Sequence, residues 1–292
     1  MINLIFLIAL MIQPGFAAIK PAKPAKKIPP VHKVLIVIFE NTNYQDAAKQ
    51  PFMASLAKQG ALLENYHAVT HPSLPNYLAL TSGNYWKIQS DDDVSLNVGH
   101  IGDLLDEAHK SWKVYAEAYP GKPGQCFLGS YSGTYARKHV PMLSYKDVQK
   151  SPALCDRIVN AKEFFNDFQK KSLPDFALYI PDLKDDAHNT DVRYADRWFK
   201  KAFGPLISQW PKNELLAFTF DEDGSYNVRT RGFNKSANRV LTVLYGQGVR
   251  RGAVSRKWYS HYSLLKTVET ALGLKSLGQK DKSASLIDDI WN

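Results

Sequence analysis

Ser73 is the side chain best suited to act as a nucleophile, because it lies between Pro72 and Pro75. Each proline ring fixes its own φ and restricts the residue before it, so the serine hydroxyl has little backbone freedom. Such rigidity suits a nucleophile that must meet a reacting atom in one geometry. The alternative interpretation is a proline-rich surface turn with an incidental serine, and residues 70–77 alone do not decide between the two.

Two acidic pairs form a second candidate group. Glu40-Asn41 and Asp221-Glu222 each come directly after a six-residue, almost wholly apolar run. A carboxylate behind a buried run is costly unless it is paired or bound to a cation. Such oxygen ligands suit magnesium, calcium or manganese, and zinc accepts them when a histidine joins. The alternative is that the acids only cap the helices or turns that follow.

Histidines beside acids extend this candidate metal site. Asp186 and His188 are two residues apart in residues 181–190, and an irregular loop lets both side chains face one site. His261 opens the last predicted helix and is a further ligand candidate. For each histidine the alternative is an ordinary surface, core or helix-start residue.

A basic run, Arg137-Lys138-His139, puts two fixed charges beside an imidazole. Arginine and lysine pair well with phosphate, and histidine titrates near neutral pH. The run therefore favours anion binding or protonation of a leaving group. A solvated basic surface is the alternative.

Apolar runs alternate with helical patterns along the chain and must position these residues. The predicted strands are residues 34–39, 61–68, 112–116, 176–180, 215–220 and 240–244. The predicted helices are residues 44–59, 101–110, 194–210 and 261–272, and residues 78–80 could carry a short one. Residues 119–159 are irregular and predict an insertion over one rim of the sheet.

This alternation predicts an α/β fold in which a mostly parallel central sheet has helices on both faces. In such sheets ligands bind beyond the carboxyl ends of the strands. Glu40, Ser73, the Asp186/His188 cluster and the Asp221-Glu222 pair each follow a predicted strand. We therefore expect these polar groups to converge on one edge of the sheet.

The first residues predict export. Residues 3–12 are almost wholly apolar but too short to span a bilayer, and small residues follow at positions 15, 17 and 18, so we predict a signal peptide over residues 1–17. Residues 18–32 are rich in lysine, proline and alanine and predict an extended linker. Residues 33–292 would form one catalytic domain. No later apolar run is long enough to cross a membrane, so no integral membrane segment is expected after cleavage of the signal peptide.

The two cysteines of the chain, Cys126 and Cys155, fit an exported protein. Neither lies in a cluster with metal-ligand spacing, so a disulfide is favoured over a metal site. The net charge is +9, and four of these charges lie in the linker. The remaining mildly basic domain suits phosphate-bearing substrates. No recognised nucleic-acid motif is present, so no nucleic-acid partner is expected.

Taken in order, these motifs resemble the phosphoesterase family of bacterial acid phosphatases and phospholipases C, within the alkaline-phosphatase-like superfamily. The Glu-Asn pair after the first strand, the Ser-x-Pro-Asn element, the Asp-x-His cluster and the Asp-Glu pair carry the resemblance. It runs from about residue 34 to residue 272. An alkaline-phosphatase-like fold is what it implies.

The resemblance also implies a serine nucleophile on a divalent metal. The metal ligands would be Glu40, Asn41, Ser73, Asp186, Asp221, Glu222 and His261. The catalytic residues would be Ser73, His139 and His188. Phosphate binding would fall to Asn76, Arg137, Lys138 and His71.

The chain departs from the family in two places. Ala187 stands where the family has a glycine, and Asn189 stands where it has an acid. The number of metal ions, one or two, is therefore open, as is the choice among zinc, magnesium, calcium and manganese. Sulfatases of the superfamily need an arginine four residues after the modified residue; Tyr77 occupies that place, so sulfate esters are disfavoured.

We therefore expect a secreted or periplasmic, metal-dependent phosphomonoesterase that is acid-phosphatase-like and forms a phosphoserine intermediate on small phosphate esters. A phosphodiesterase of the phospholipase C type, acting on phospholipid head groups, is the alternative in the same site. An exported binding protein that has kept the fold without turnover is the alternative of another class. The oligomeric state is open.

Overall fold

The computed structural model describes residues 28–212, 214–224, 238–246 and 248–292. The predicted signal peptide and residues 18–27 of the predicted linker lie outside the described residues. Within them, no helix has the length and apolar character needed to cross a membrane.

The strands lie where short, strongly apolar segments occur. They are β1 Lys33–Phe39, β2 Ala61–Leu63, β3 Tyr66–His67, β4 Trp112–Ala116, β5 Tyr131–Ser132, β6 Tyr135–Ala136, β7 Ile158–Asn160, β8 Phe176–Ile180, β9 Glu214–Phe220, β10 Thr242–Gly246, β11 Ala253–Ser255 and β12 Tyr259–Ser260.

The helices connect these strands. They are α1 Tyr44–Ala47, α2 Pro51–Gln59, α3 Ser73–Ser82, α4 Ile101–Glu107, α5 Lys146–Lys150, α6 Pro152–Cys155, α7 Lys162–Gln169, α8 Val192–Ile207, α9 His261–Ala271 and α10 Lys280–Ser283. Two 3₁₀ turns cover Arg137–His139 and Pro141–Ser144.

An eight-stranded sheet with the order β11-β2-β10-β9-β1-β8-β4-β7 forms the centre. Only β10 runs antiparallel to its neighbours β2 and β9. The other pairs are parallel, with β1 between β8 and β9. The carboxyl ends of β1, β2, β4, β8, β9 and β11 therefore share one edge, and the mostly parallel sheet is as predicted.

The central strands are buried on both faces, which is why they are continuously apolar. All the residues of β8 and β9 are buried. Helix α8 covers one face: the Phe199 ring lies 5.1 Å from Phe39 and 5.3 Å from Phe218. On the other face Val34, Ile36 and Ile38 are at most 1% exposed. Helices on both faces of the sheet were predicted, and this burial agrees.

Some predicted boundaries need correction. The helix predicted over residues 44–59 is two helices, because Pro51 lacks an N–H and begins a new one. The strand predicted over residues 61–68 is broken into β2 and β3 by a turn. The helix placed near residues 78–80 begins at Ser73, so the candidate nucleophile is its first residue. Helix α7 and strands β7, β11 and β12 were not predicted.

The irregular insertion after β4 is closed by a disulfide. Cys126 and Cys155 are bonded, as predicted, across a sequence separation of 29 residues. The closed loop contains the β5–β6 hairpin and the 3₁₀ turn Arg137–His139. The bond thus fixes both ends of a segment that otherwise has little regular structure.

Replacing both cysteines by alanine should lower the free energy of unfolding by about 3 kcal/mol, because a loop of this length loses closure entropy when cross-linked. Urea denaturation of the wild type and the double variant measures the difference. Dithiothreitol should lower the stability of the wild type and leave the double variant unchanged. A difference below about 0.5 kcal/mol would show that the insertion is held by its packing alone.

Candidate active site

Backbone hydrogen bonds join three segments where they leave the sheet. The N–H of Asp221 donates to the carbonyl of Phe39 at 2.9 Å, which continues the β1–β9 pairing past its end. The N–H of Glu40 donates to the carbonyl of Asp186 at 2.9 Å. The acids after β1 and β9 and the loop after β8 therefore meet at one edge, as the alternation predicted.

Ser73 faces these acids from the N-terminus of α3. Its Oγ donates to Glu40 Oε2 at 3.0 Å and lies 3.5 Å from Glu222 Oε1. Tyr77, one helical turn later, donates its hydroxyl to Glu40 Oε1 at 2.7 Å. Ser73 is 1% exposed. The helix therefore holds the serine oxygen against two carboxylates inside the protein.

Asn41 and His71 contact the acidic pair Asp221-Glu222 and fix its side chains. The Asn41 amide donates to Glu222 Oε1 at 2.7 Å, and the Asn41 N–H donates to Asp221 Oδ1 at 3.1 Å. His71 Nδ1 pairs with Glu222 Oε2, and its Nε2 lies 3.7 Å from Asp223 Oδ1. His71, predicted to bind substrate, thus contacts the carboxylates.

Burial changes the pKa of the carboxyl groups in this cluster. It raises the pKa of Glu40, of Asp221 and of Glu222, since the charged form loses its water. The Glu40 and Glu222 carboxylates raise the pKa of Asp221 further. His71 acts in the opposite direction on the pKa of Glu222.

Two buried oxygen atoms at this place lack a protein donor, namely Asn41 Oδ1 and Asp221 Oδ2. Buried acceptors without partners are rare in folded proteins. Amide and carboxylate oxygens clustered beside a serine hydroxyl are ligands that a hard divalent cation takes. The residues present therefore fit a divalent metal ion.

His139 and Asp186 form the adjoining side of the site. His139 Nε2 lies 3.1 Å from Glu40 Oε1, and its Nδ1 lies 3.5 Å from Asp186 Oδ2. Burial lowers the pKa of His139 to about 4, so its ring is neutral at neutral pH. Burial raises the pKa of Asp186 to about 8. His188 is exposed, and its ring lies 6.1 Å from the ring of His139.

The loop of Asp186 carries backbone strain. Asp186 Oδ1 accepts from the N–H of His188 at 2.7 Å, and Ala187 between them has φ of 88°. A positive φ of this kind favours glycine. The strained alanine stands where the resemblance implied a glycine, so the substitution keeps the loop shape at an energetic cost.

Asn76 does not reach toward a ligand. Its Oδ1 accepts from the N–H groups of Val69 and Thr70, at 2.9 and 3.1 Å. Its Nδ2 donates to the carbonyls of Thr70 and Pro72, at 2.8 and 3.0 Å. The amide is fully occupied in holding the loop before Ser73. That Asn76 binds phosphate stays a prediction.

Arg137 is likewise occupied by the fold. Its guanidinium donates to the carbonyls of Leu128, Val94 and Leu143, at 2.7, 3.1 and 3.0 Å. It is 7% exposed and holds the insertion together. That Arg137 binds substrate stays a prediction.

Lys138 stays close to the site. Its Nζ donates to Asp91 Oδ2 at 2.8 Å, and Asp91 Oδ1 accepts from the N–H of Leu74 at 2.9 Å. Burial acts to lower the pKa of Lys138, but the Glu40 and Asp91 carboxylates outweigh it and raise that pKa. A cation is therefore fixed beside the serine through Asp91.

His261 also has both ring nitrogens occupied. Its Nε2 lies 2.7 Å from the carbonyl of Asp221, and its Nδ1 lies 3.0 Å from the hydroxyl of Tyr66. Burial lowers its pKa to about 4. In this structure it holds the backbone of Asp221, and its role as a metal ligand stays a prediction.

Sequence reasoning missed Tyr77 and Asp91. Tyr77 is four residues after Ser73, so the two share one face of a helix that begins at Ser73. A helix start placed at Ser73 would have found it. Asp91 lies in a run of three aspartates that carries no local signal of its partner.

Two other groups of described residues bring three possible metal ligands within 4.8 Å of one another. The first is His100, Asp103 and Asp147, whose aspartate side chains are 49% and 45% exposed. The second is Glu117, Asp182 and Asp185, where Glu117 already accepts hydrogen bonds from the Tyr179 hydroxyl and the Asp182 N–H. Neither group contains a nucleophile.

Known proteins resemble this chain over most of its length. Residues 31–275 match the sequence model of the Phosphoesterase family. The chain is 33% identical over 294 aligned residues to a protein of Aspergillus fumigatus named acid phosphatase. That match covers 96% of this chain and 64% of the relative, so the chain spans slightly less than two thirds of the relative's length.

A second relative, from Mycobacterium tuberculosis, is named phosphatidylinositol-3-phosphatase. It is 32% identical over 278 residues, which cover 91% of this chain and 85% of the relative. A solved structure from Vibrio parahaemolyticus, a protein in the alkaline phosphatase superfamily, has a TM-score of 0.62 at 14% identity. It covers 91% of this chain and 73% of its own, which confirms the alkaline-phosphatase-like fold.

The raised pKa of Asp186 predicts how the stability of the metal-free protein depends on pH. The folded state keeps a proton on Asp186 up to a pKa of about 8, whereas the unfolded chain releases it near 3.8. The free energy of unfolding of the wild type therefore falls as the pH rises through that window, because the folded state binds this proton more tightly than the unfolded chain does. Because Asp186→Asn cannot titrate, the variant should gain in stability relative to the wild type as the pH rises.

Urea denaturation of both EDTA-treated proteins between pH 4 and pH 8 measures this difference. The matched control is Asp92→Asn, at an exposed aspartate, which should keep a constant offset from the wild type. If the free energy of unfolding of Asp186→Asn, relative to that of the wild type, stayed constant or fell as the pH rose, the assignment of a raised pKa to this carboxyl group would be contradicted.

Proposed function

This chain belongs to the phosphoesterase family, and we propose that it is an exported, metal-dependent phosphomonoesterase that works through a phosphoserine at Ser73. The observation that carries the proposal is the place of the serine hydroxyl. It lies 3.0 Å from Glu40 and 3.5 Å from Glu222, within a buried group of carboxylates. A serine with only a structural role has no need of such costly surroundings.

Glu40, Asn41, Asp221 and Glu222 would hold the metal ion, with the Ser73 oxygen beside it. Their carboxylate and amide oxygens, two of them without a protein donor, support this choice. When bound, a divalent ion lowers the pKa of the serine hydroxyl and neutralises charge on the phosphoryl oxygens. Asp186, with its unpaired Oδ2, remains a candidate ligand for a second ion.

The protein's own residues would then carry the transfer. Ser73 Oγ forms a bond to phosphorus while the bond to the leaving-group oxygen breaks. We assign the proton transfer to that oxygen to His188, which is exposed and whose ring lies 6.1 Å from that of His139. Lys138 supplies a positive charge near the phosphoryl group. Water then hydrolyses the phosphoserine and releases phosphate.

The substrate class follows from the relatives and the site. The two relatives described above are named as phosphatases, one of them for a phosphoinositide. Neither name refers to a phospholipase C, so we retain a phosphomonoester on a small molecule or a lipid head group. The phosphodiesterase alternative has no specific support.

Export is the remaining part of the proposal. The apolar run of residues 3–12 supports a signal peptide, and the Cys126–Cys155 bond suits an oxidising compartment. We propose that residues 33–292 form the single catalytic domain behind a linker over residues 18–32, in the periplasm or outside the cell.

Ser73→Ala should lower kcat for p-nitrophenyl phosphate by several orders of magnitude, on the order of 10⁴ or more, because the phosphoryl acceptor is lost. Steady-state kinetics with each divalent metal added back to EDTA-stripped enzyme measures the effect. The matched control is Ser82→Ala, at the other end of α3, where the hydroxyl donates to the backbone carbonyls of Leu78 and Asn84 and accepts from the Trp86 indole N–H.

Ser82→Ala should keep kcat within about threefold of the wild type. Circular dichroism establishes that both variants are folded. Near-normal turnover by folded Ser73→Ala would remove the serine from the mechanism. Binding of phosphate by the wild type with no turnover of any ester would instead identify a binding protein.

A further inference from the structure

Two exposed apolar side chains lie on one loop of the insertion. Tyr131 is 59% exposed and Leu128 is 39% exposed, and they are two of the four exposed large hydrophobic residues in the described parts of the chain. Single exposed apolar residues need no explanation. These two matter because they lie on the segment that leads into the candidate active site.

Tyr131 lies on the outward face of the β5–β6 hairpin. It pairs directly with Ala136, while Ser132 pairs with Tyr135. Directly paired residues share a face and successive residues alternate, so Tyr131 and Tyr135 are on opposite faces. The Tyr135 ring packs on Tyr119 and Phe127 at 5.5 and 5.8 Å. The hairpin is thus anchored through Tyr135, and Tyr131 is presented to solvent.

The chain leads directly from this hairpin into the candidate active site. Ala136 is followed by the 3₁₀ turn Arg137–His139, and His139 Nε2 lies 3.1 Å from Glu40 Oε1. A rise of ~2 Å per residue puts His139 about 6 Å along the chain from Ala136. The cross-strand spacing adds about 5 Å. The Tyr131 backbone therefore lies within roughly 11 Å of the His139 backbone.

The neighbourhood of Lys138 gives independent support for this placement. The Tyr131 phenol and the Glu40 carboxylate both act on the pKa of Lys138. Lys138 therefore lies within electrostatic range of both the buried acids and the exposed ring. The leaving group of a phosphate ester bound at Ser73 would meet Tyr131 if it extended past Lys138.

The hairpin is also held rigidly. Arg137 donates from its N–H to the carbonyl of Ser130 at 2.8 Å and from its guanidinium to the carbonyl of Leu128 at 2.7 Å. The N–H of Leu183 donates to the carbonyl of Thr134 at 2.9 Å, which joins the hairpin to the loop of Asp186. A hairpin backbone held in this way loses little conformational entropy when a partner binds against it.

We propose that Tyr131, with Leu128 beside it, packs against the leaving group and makes the enzyme prefer phosphomonoesters whose alcohol carries a planar aromatic ring. The proposal rests on the phosphomonoesterase function proposed above and adds its leaving-group specificity. Aromatic rings gain by stacking beyond the area that they bury. No bond to phosphorus involves Tyr131, so its effect should be confined to the organic part of the substrate.

The test compares 2-phenylethyl phosphate with ethyl phosphate, whose alcohols are similar in acidity and differ in the ring. For the wild type, kcat/KM should be higher for the phenyl ester. Tyr131→Ala should lower kcat/KM for the phenyl ester about fivefold to tenfold and change that for ethyl phosphate less than twofold. Tyr131→Phe, which keeps the ring, should match the wild type.

The control is Trp258→Ala, at another exposed aromatic residue of the described part of the chain, which should leave both constants unchanged. An equal fall for both esters in Tyr131→Ala, or no fall for either, would overturn the proposal while the phosphomonoesterase function stands. If the wild type hydrolysed neither ester with any added metal, the proposed function itself would fail, and this inference with it.

Discussion

The structure depends on a group of buried like charges. Glu40, Asp221 and Glu222 are each at most 2% exposed, and burial and mutual repulsion raise the pKa of Asp221. Carboxylates brought together away from water are unfavourable unless protons, hydrogen-bond donors or a cation offset their charge. Among the described residues, the side chains that hydrogen-bond to these carboxylates are those of Ser73, Tyr77, Asn41 and His71. Because hydrogen-bond donors are few, the buried carboxylates lower the stability of the metal-free fold. For the same reason some of their oxygen atoms remain available to a metal ion.

Several residues around this group maintain its shape through hydrogen bonds within the protein. Asn76 fixes the loop before Ser73, and His261 holds the Asp221 backbone from α9. Asp91 ties Lys138 to the N–H next to the serine. Each joins segments that are distant in the chain. The serine and the carboxylates can therefore keep their geometry although they arise from different strands and a helix.

The sequence predicted the parts that depend on local pattern. Continuous apolar runs identified β1 and β9, and parallel pairing then required Glu40 and Asp221 to share an edge. Such local patterns do not indicate which groups a polar side chain will hydrogen-bond to. Arg137 resembles a phosphate-binding arginine in sequence, but it donates to the carbonyls of Leu128, Val94 and Leu143, and no local pattern indicates which carbonyls a fold leaves open. Tyr77 was missed because the start of α3 was placed too late.

The central claim is that a divalent ion binds where Glu40, Asp221 and Glu222 meet Ser73. Anomalous diffraction at the manganese edge, from crystals soaked in manganese chloride, tests it most directly. The account predicts a strong peak in contact with these three carboxylates and next to the Ser73 oxygen. A peak only at Glu117, Asp182 and Asp185 or at His100, Asp103 and Asp147, in a protein that is active with manganese, would contradict it.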